Sequence, residues 1–171
     1  LNELKRQGLI RAVGSGMNEW QMLADFARNA DVDCFLLAGR YTLLEQDPLD
    51  EFFPLMRQKN ISIFLGGVFN SGILATGAIK GARYQYLPAP QPVLRLTRII
   101  EGVCARHGVP LRAAAAQFAA AHPAVTTLVL GMVKPGEVDE NVGLLNVPIP
   151  AAFWAELRER ELIDPGAPVP A

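Results

Sequence analysis

Residues 49–67 read LDEFFPLMRQKNISIFLGG. Residues 49–59 bring Phe52, Phe53, Leu55 and Met56 within reach of one helical face, and residues 61–67 form a short apolar run closed by two glycines. Such a run has the length and character of a strand buried on both faces, so the pair reads as helix then strand of a parallel βα repeat. The same order recurs on either side. Upstream, residues 10–14 (IRAVG) predict a first strand, and Asn18 opens a helix with Trp20, Leu23, Phe26 and Ala27 on one face. Residues 33–37 (DCFLL) predict the second strand, with a loop over 38–48. Downstream, residues 75–92 show no period, and helices are predicted over 93–107, where Gly108 stops the turn, and over 111–121, ended by Pro123. Residues 126–131 (TTLVLG) predict the fourth strand, followed by helices over 135–145 and 151–162, the last burying Phe153, Trp154, Leu157 and Leu162.

Four βα units suit either a small doubly wound sheet or half of an eight-stranded barrel. A complete barrel needs about 250 residues, so the barrel reading makes residues 1–171 the second half of one. The first residue is Leu, and residues 1–8 read as the last turns of a helix, which points to a C-terminal piece of something longer. Both architectures hold ligands where strands end at their C-terminal side. The loops that matter therefore follow Gly14, Leu37, Gly67 and Gly131.

The chain carries 16 Lys+Arg against 17 Asp+Glu, a net charge of −1, and half of its residues are hydrophobic. One packed domain follows, and disorder is excluded. Without a basic block, neither nucleic acid nor an anionic membrane surface is expected as a partner. Cys34 and Cys104 lie in apolar stretches without metal-ligand spacing and read as buried small hydrophobes, and no ligand cluster supports a metal. The absence of a long apolar run and the polar start predict a soluble, cytoplasmic protein.

In the loop after the first strand, Gly14-Ser15-Gly16-Met17-Asn18, small residues admit a ligand to the backbone, and Ser15 or Asn18 can bond an amide. Asn18 also suits a helix N-cap. Gly66 to Gly72 can turn several N–H groups toward a phosphate, and Gly131 leads to a helix N-terminus. His107 and His122 lie on or at the ends of helices, far in sequence from the C-terminal end of any strand, so neither is expected to serve as an imidazole base. Arg40 and Tyr41 stand where a pocket would form, and Trp20 reads as packing before it reads as a substrate platform.

The segments RAVGSGMNEW, LLAGRYTLLEQ, GVFNSGIL, TLVLGMVKPGEVDENVGLL and IPAAFWAEL, in this order, resemble the second half of an aldo/keto reductase. The resemblance is nearest to the sugar-oxidising branch, the L-fucose, D-threo-aldose and D-galactose dehydrogenases with a pyridoxal-oxidising relative. It implies a (β/α)8 barrel that binds a nicotinamide dinucleotide in an extended pose, without a Rossmann fold. The family's catalytic Asp, Tyr, Lys and His come from the first half, so this chain supplies no catalytic residue. Ser15, Gly16 and Asn18 would face the nicotinamide carboxamide. Gly67, Val68, Phe69, Asn70, Ser71 and Gly72 would wrap the pyrophosphate, and Gly131, Met132, Lys134, Glu137, Glu140 and Asn141 match the adenosine segment. Ala38 and Gly66 stand where the family has a glutamine and an aromatic residue. Relatives that prefer the phosphorylated cofactor place Arg at the position of Glu137, and a carboxylate there repels a 2′-phosphate, so NAD is expected over NADP, with Lys134 as the counterweight. Arg40, Tyr41 and Trp20 are the substrate contacts expected from this half, the substrate being a small aldose or pyridoxal. The expected partner is a missing N-terminal half or a second copy, and a non-catalytic cofactor-binding module is the competing reading.

Overall fold

The computed structural model describes residues 1–170. A short helix α1 (Asn2–Arg6) precedes strand β1 (Gly14–Met17), helix α2 (Trp20–Asn29), β2 (Cys34–Ala38), α3 (Phe52–Lys59) and β3 (Ser62–Gly66). A 3-10 turn (Asn70–Gly72), α4 (Ile73–Thr76), β4 (Arg83–Tyr84) and β5 (Leu87–Pro88) follow. The chain then runs through α5 (Gln91–His107), α6 (Leu111–Ala121), β6 (Val125–Val129), α7 (Gly136–Leu144) and α8 (Ala151–Glu159). The main sheet is four-stranded and parallel in the order β1-β2-β3-β6. The α/β class and the parallel βα repeat are as the sequence predicts.

The first strand is a correction. It lies at Gly14–Met17 and not at 10–14, because pairing with β2 sets its place: Gly14 stands opposite Cys34 and Met17 opposite Leu37. The apolar residues just before it are held as a lead-in. Val13 donates to the Asp33 carboxylate at 2.7 Å, and its carbonyl accepts from the Asp33 N–H at 2.7 Å. Lys5 of α1 bridges the same carboxylate at 2.5 Å and holds its pKa below the usual carboxylate range. A Cβ on Gly14 would strike the Cys34 carbonyl and lie 2.6 Å from its Sγ, so this edge closes only on glycine.

Other boundaries move less. α3 starts at Phe52, because residues 46–50 form turns in which Leu49 bonds to the Gln46 carbonyl. β6 ends at Val129, two residues before Gly131. Asn18 does not cap α2: Glu19 is the cap residue and makes no side-chain bond, since the helix begins one residue later than Asn18 would serve. Within the aperiodic stretch, β4 and β5 form a hairpin whose corner, Gln85 and Tyr86, takes positive φ at both residues. That geometry usually announces itself as Asn-Gly, which is why Gln-Tyr gives no signal.

Phe35, Leu37, Ile63 and Leu65 are fully buried in the core that the helices share with the sheet. The alternate residues of the same strands face the other way, and that face is incompletely covered, with Phe64 36% and Val129 45% exposed. β1 and β6 are the sheet's two edges. Beside β6 an apolar groove of about 380 Å³ runs along α7, lined by Leu128, Leu130, Met132, Val138, Val142 and Leu145. Trp20, half-buried against the core, packs as the sequence suggests.

Candidate functional site

The C-terminal ends of β1, β2 and β3 converge through backbone. Gly39, with φ of 69°, donates to the Gly66 carbonyl at 2.9 Å. Gly67, with φ of 64°, lies so close beneath it that a Cβ would come within 2.8 Å of the Gly39 nitrogen. Asn70, Ser71 and Gly72 then take φ of 44°, 59° and 98° in succession. Two successive non-glycine residues in the left-handed region store strain, which the surroundings must hold in place.

Glu45 does the holding. Its carboxylate is 10% exposed and accepts from Arg40 at 2.8 Å, from Asn70 Nδ2 at 3.3 Å, from the Tyr84 hydroxyl, and from Gln85 at 3.5 Å. Burial first, and the bond to Glu45 second, raise the Tyr84 phenol pKa well above its ordinary value. Arg40 also donates from Nε to the Asn18 carbonyl at 3.3 Å, which links the loops after β1 and β2. The Thr42 hydroxyl accepts from the N–H groups of Leu44 and Glu45, so the turn that aims the carboxylate is built locally. Glu45 is not among the residues the sequence singles out; its one signal is an acid directly after the apolar pair Leu43-Leu44.

Asn70 is 3% exposed, and its Oδ1 has no hydrogen-bond partner among the described residues. Asn18, Gly39, Arg40, Gly67 and Ser71 line a small cleft of about 40 Å³ with it. A buried acceptor without a partner is costly, so the cleft is built to receive a donor. The Ser71 hydroxyl accepts from the Tyr86 N–H at 2.9 Å, so its oxygen anchors the β4-β5 hairpin while its own proton stays available. Ser15 and Gly16 sit inside β1 and present their backbone edge, not a loop.

A second cluster lies between the loop after β3 and α7. Arg112, near the start of α6, places its guanidinium 5.7 Å from the Phe69 ring centre. It donates to Asn141 Oδ1 at 2.6 Å and to the Glu140 carboxylate at 3.3 Å. Asn141 is 3% exposed, and its Nδ2 has no partner among the described residues. Glu137 is held by the Val133 N–H at 2.7 Å, while Gly131, Met132 and Lys134 lie exposed on the loop before α7. Arg112 was not anticipated, since an arginine two residues after a proline gives no sequence signal.

Two expected contacts are corrected. Tyr41 is fully buried, with its ring 4.8 Å from Phe53, 5.1 Å from Phe118 and 5.3 Å from His122. Burial raises its pKa well above that of a free phenol, with Asp164 adding to the effect, and it touches no strand end. Its place next to Arg40 in sequence misleads, because the chain turns inward after Arg40. The Val68 side chain is likewise core at 1% exposure, so only its backbone can meet a ligand. The histidines behave as expected: His107 pairs with Glu156 at 2.8 Å, and His122 is buried against Phe53.

The arrangement gathers a left-handed loop, two orphaned buried amide atoms and a guanidinium near the C-terminal ends of parallel strands. Ligands of βα proteins sit at that end of the sheet. The chain belongs to the aldo/keto reductase family, whose model matches residues 1–161. It is 40% identical to a pyridoxal 4-dehydrogenase of Microbacterium luteolum over 95% of this chain and 48% of that protein. It is 38% identical to a D-threo-aldose 1-dehydrogenase of a Pseudomonas species, over 95% of this chain and 50% of the relative. A holo-form aldo-keto reductase structure from Bacillus halodurans superposes with a TM-score of 0.73 at 22% identity, over 95% of this chain and 54% of the other. The chain spans about half the length of the curated relatives it matches. No helix among the described residues is long and apolar enough to cross a membrane.

Proposed function

We propose that this chain is the C-terminal, cofactor-cradling half of a (β/α)8 oxidoreductase that oxidises a cyclic hemiacetal, an aldose or pyridoxal, with NAD. The observation that carries the reading is the identity to two dehydrogenases, 40% and 38%, across 95% of the chain. Both of their named substrates can present a carbinol carbon within a hemiacetal ring, and that shared chemistry is the substrate class.

The cradle fits a dinucleotide. Asn18 and the edge of β1 would meet the nicotinamide amide, the loop from Gly67 to Gly72 would wrap the pyrophosphate, and Glu137, Glu140 and Asn141 would take the adenosine. The orphaned Asn70 Oδ1 and Asn141 Nδ2 support this, because each is a buried polar atom waiting for a partner. The chemistry supplied by a bound nicotinamide would be acceptance of hydride from the substrate carbon. This chain's residues bind and orient: Arg40, fixed by Glu45 and set beside Asn18, is the remaining candidate for substrate contact. The residues that move the hydroxyl proton would come from the other half of the barrel.

Glu137 supports NAD. Its carboxylate is already held by Val133, and a second anion brought beside it would be repelled. Glu137→Arg is expected to raise kcat/KM for NADP relative to NAD by about tenfold or more, an effect of roughly 1.4 kcal/mol. The test is initial-rate assay of the intact gene product with each cofactor, using D-threo-aldoses, L-fucose, D-galactose and pyridoxal. NADP preference in the unmodified protein, or no reduction with any of these substrates, overturns the reading. NAD binding without turnover would instead favour a non-catalytic cofactor-binding module.

The open strands β1 and β6 support pairing with the other half of the barrel, or with a second copy whose edges would close the same ring. The free thiols of Cys34 and Cys104 agree with a reducing, cytoplasmic setting.

A further inference from the structure

Arg112 is not among the residues that the cofactor reading calls on, yet it joins the two segments that reading uses. Its guanidinium lies over Phe69 in the loop after β3 and bonds Glu140 and Asn141 of α7. We propose that Arg112 is a positioning and specificity residue: it fixes the Asn141 carboxamide with its oxygen turned inward and its NH2 end free, so that the site reads a hydrogen-bond acceptor on the adenine edge.

A guanidinium has donors only, so the Asn141 atom 2.6 Å from it must be the oxygen. A neutral side chain in place of Arg112 would let the amide turn over, and an asparagine of unfixed orientation discriminates poorly between donor and acceptor. With Oδ1 held, Nδ2 is left buried without a partner among the described residues, beside the groove along α7 that Asn141 helps to line. Leaving it unmet carries a penalty that a ligand acceptor removes. An asparagine amide matches adenine through a ring nitrogen that accepts and the exocyclic amine that donates, and the second lone pair of Oδ1 remains for the amine. Glu140 balances the guanidinium charge, and the ring of Phe69 keeps its plane in place. Arg112 therefore also ties the phosphate-wrapping loop to the adenosine segment.

This inference rests on the cofactor reading, and the test separates the two. Titration calorimetry of the intact gene product with adenosine 5′-monophosphate is compared with its 7-deaza and 1-deaza analogues, each lacking one acceptor nitrogen. The unmodified protein is expected to bind the parent nucleotide and to lose about tenfold in affinity for one of the two analogues. In Arg112→Met that discrimination is expected to fall below about threefold and nucleotide affinity to drop about tenfold, with Arg112→Lys restoring little, because a point charge cannot hold the amide and the ring together. Thermal melting of each variant checks that it folds. Failure of the unmodified protein to bind the nucleotide overturns the cofactor reading and this proposal with it. Binding without loss for either analogue overturns the proposal alone, as does a folded Arg112→Met that keeps the discrimination. Should neither variant fold, the analogue comparison in the unmodified protein still decides.

Discussion

Replacing Glu45 by alanine is expected to lower the unfolding free energy by about 3 kcal/mol, read as a drop in urea midpoint with the slope nearly unchanged. The carboxylate is the one acceptor shared by Arg40, Asn70, Tyr84 and Gln85. Its removal leaves a guanidinium, two amides and a phenol without this shared acceptor. Arg40, 27% exposed, can turn to water, which keeps the loss at the low end for a buried charge pair. Asn70 cannot, since it is buried and already lacks a partner for its oxygen. Without the Glu45 bond, Asn70 Nδ2 keeps only its long bond to the Gly39 carbonyl at 3.4 Å, so the left-handed turn is held less firmly and, on the proposed function, nucleotide affinity should fall alongside stability. Glu45→Gln keeps an acceptor and should recover about half of the stability. A loss below about 0.5 kcal/mol in the alanine variant would mean that the loops are held by the sheet alone.

The second large effect is a pH dependence centred on His122. The ring stacks on Phe53 at 3.9 Å, and its Nδ1 accepts from the Ala124 N–H at 3.1 Å, so the proton sits on Nε2. A second proton would have to displace that bond inside the core. Burial first, and the nearby Arg57 second, push the pKa down from 6.5 to about 4. The unfolded chain therefore binds the proton more readily than the folded one. The stability contribution is fully present above about pH 6.5 and is lost as pH falls to about 4, by about 3 kcal/mol in all. Glu156, held down at about 2 by Arg106 and then His107, is also lost on acidification but starts below pH 4.5, so most of its change lies outside this window. Urea titrations at pH 7.5, 6, 5 and 4.5 should show the slope in the wild type and a flattened one in His122→Leu. An unchanged slope in the variant would assign the dependence to another group.

The parts of the fold that can be read from sequence are those where a side-chain period reports the backbone. Phe35 and Leu37, Ile63 and Leu65, and the aromatic residues of α3 and α8 all lie in the core, because apolar residues at strand and helix spacing leave few other solutions. The first strand escapes that logic. Glycine and serine at Gly14, Ser15 and Gly16 give no hydrophobic signal, and the strand exists because its backbone fits against Cys34. The loops of the candidate site were legible through their glycines, but the residues that fix them were not. Glu45 reaches Asn70, Tyr84 and Gln85, and Arg112 reaches Glu140 and Asn141, across tens of residues, and no local pattern encodes such bonds. Tyr41 shows the reverse error, since its neighbour Arg40 stays at the rim while it turns into the core.

The register of the sheet also sets an order in time. β1, β2 and β3 meet neighbours one βα unit away, whereas β6 reaches β3 only after residues 67–124 have been laid down, and the register shifts between Ile63 and Phe64 where it does. A loop that long costs more entropy to close, and β6 recovers little by burial, with Thr126, Thr127 and Val129 exposed. This strand is expected to dock last, and its amides to exchange first with deuterated solvent, which hydrogen-exchange measurements check. The segment carrying Glu137, Glu140 and Asn141 hangs from that strand, so a nucleotide that grips it would also slow the exchange of the whole edge.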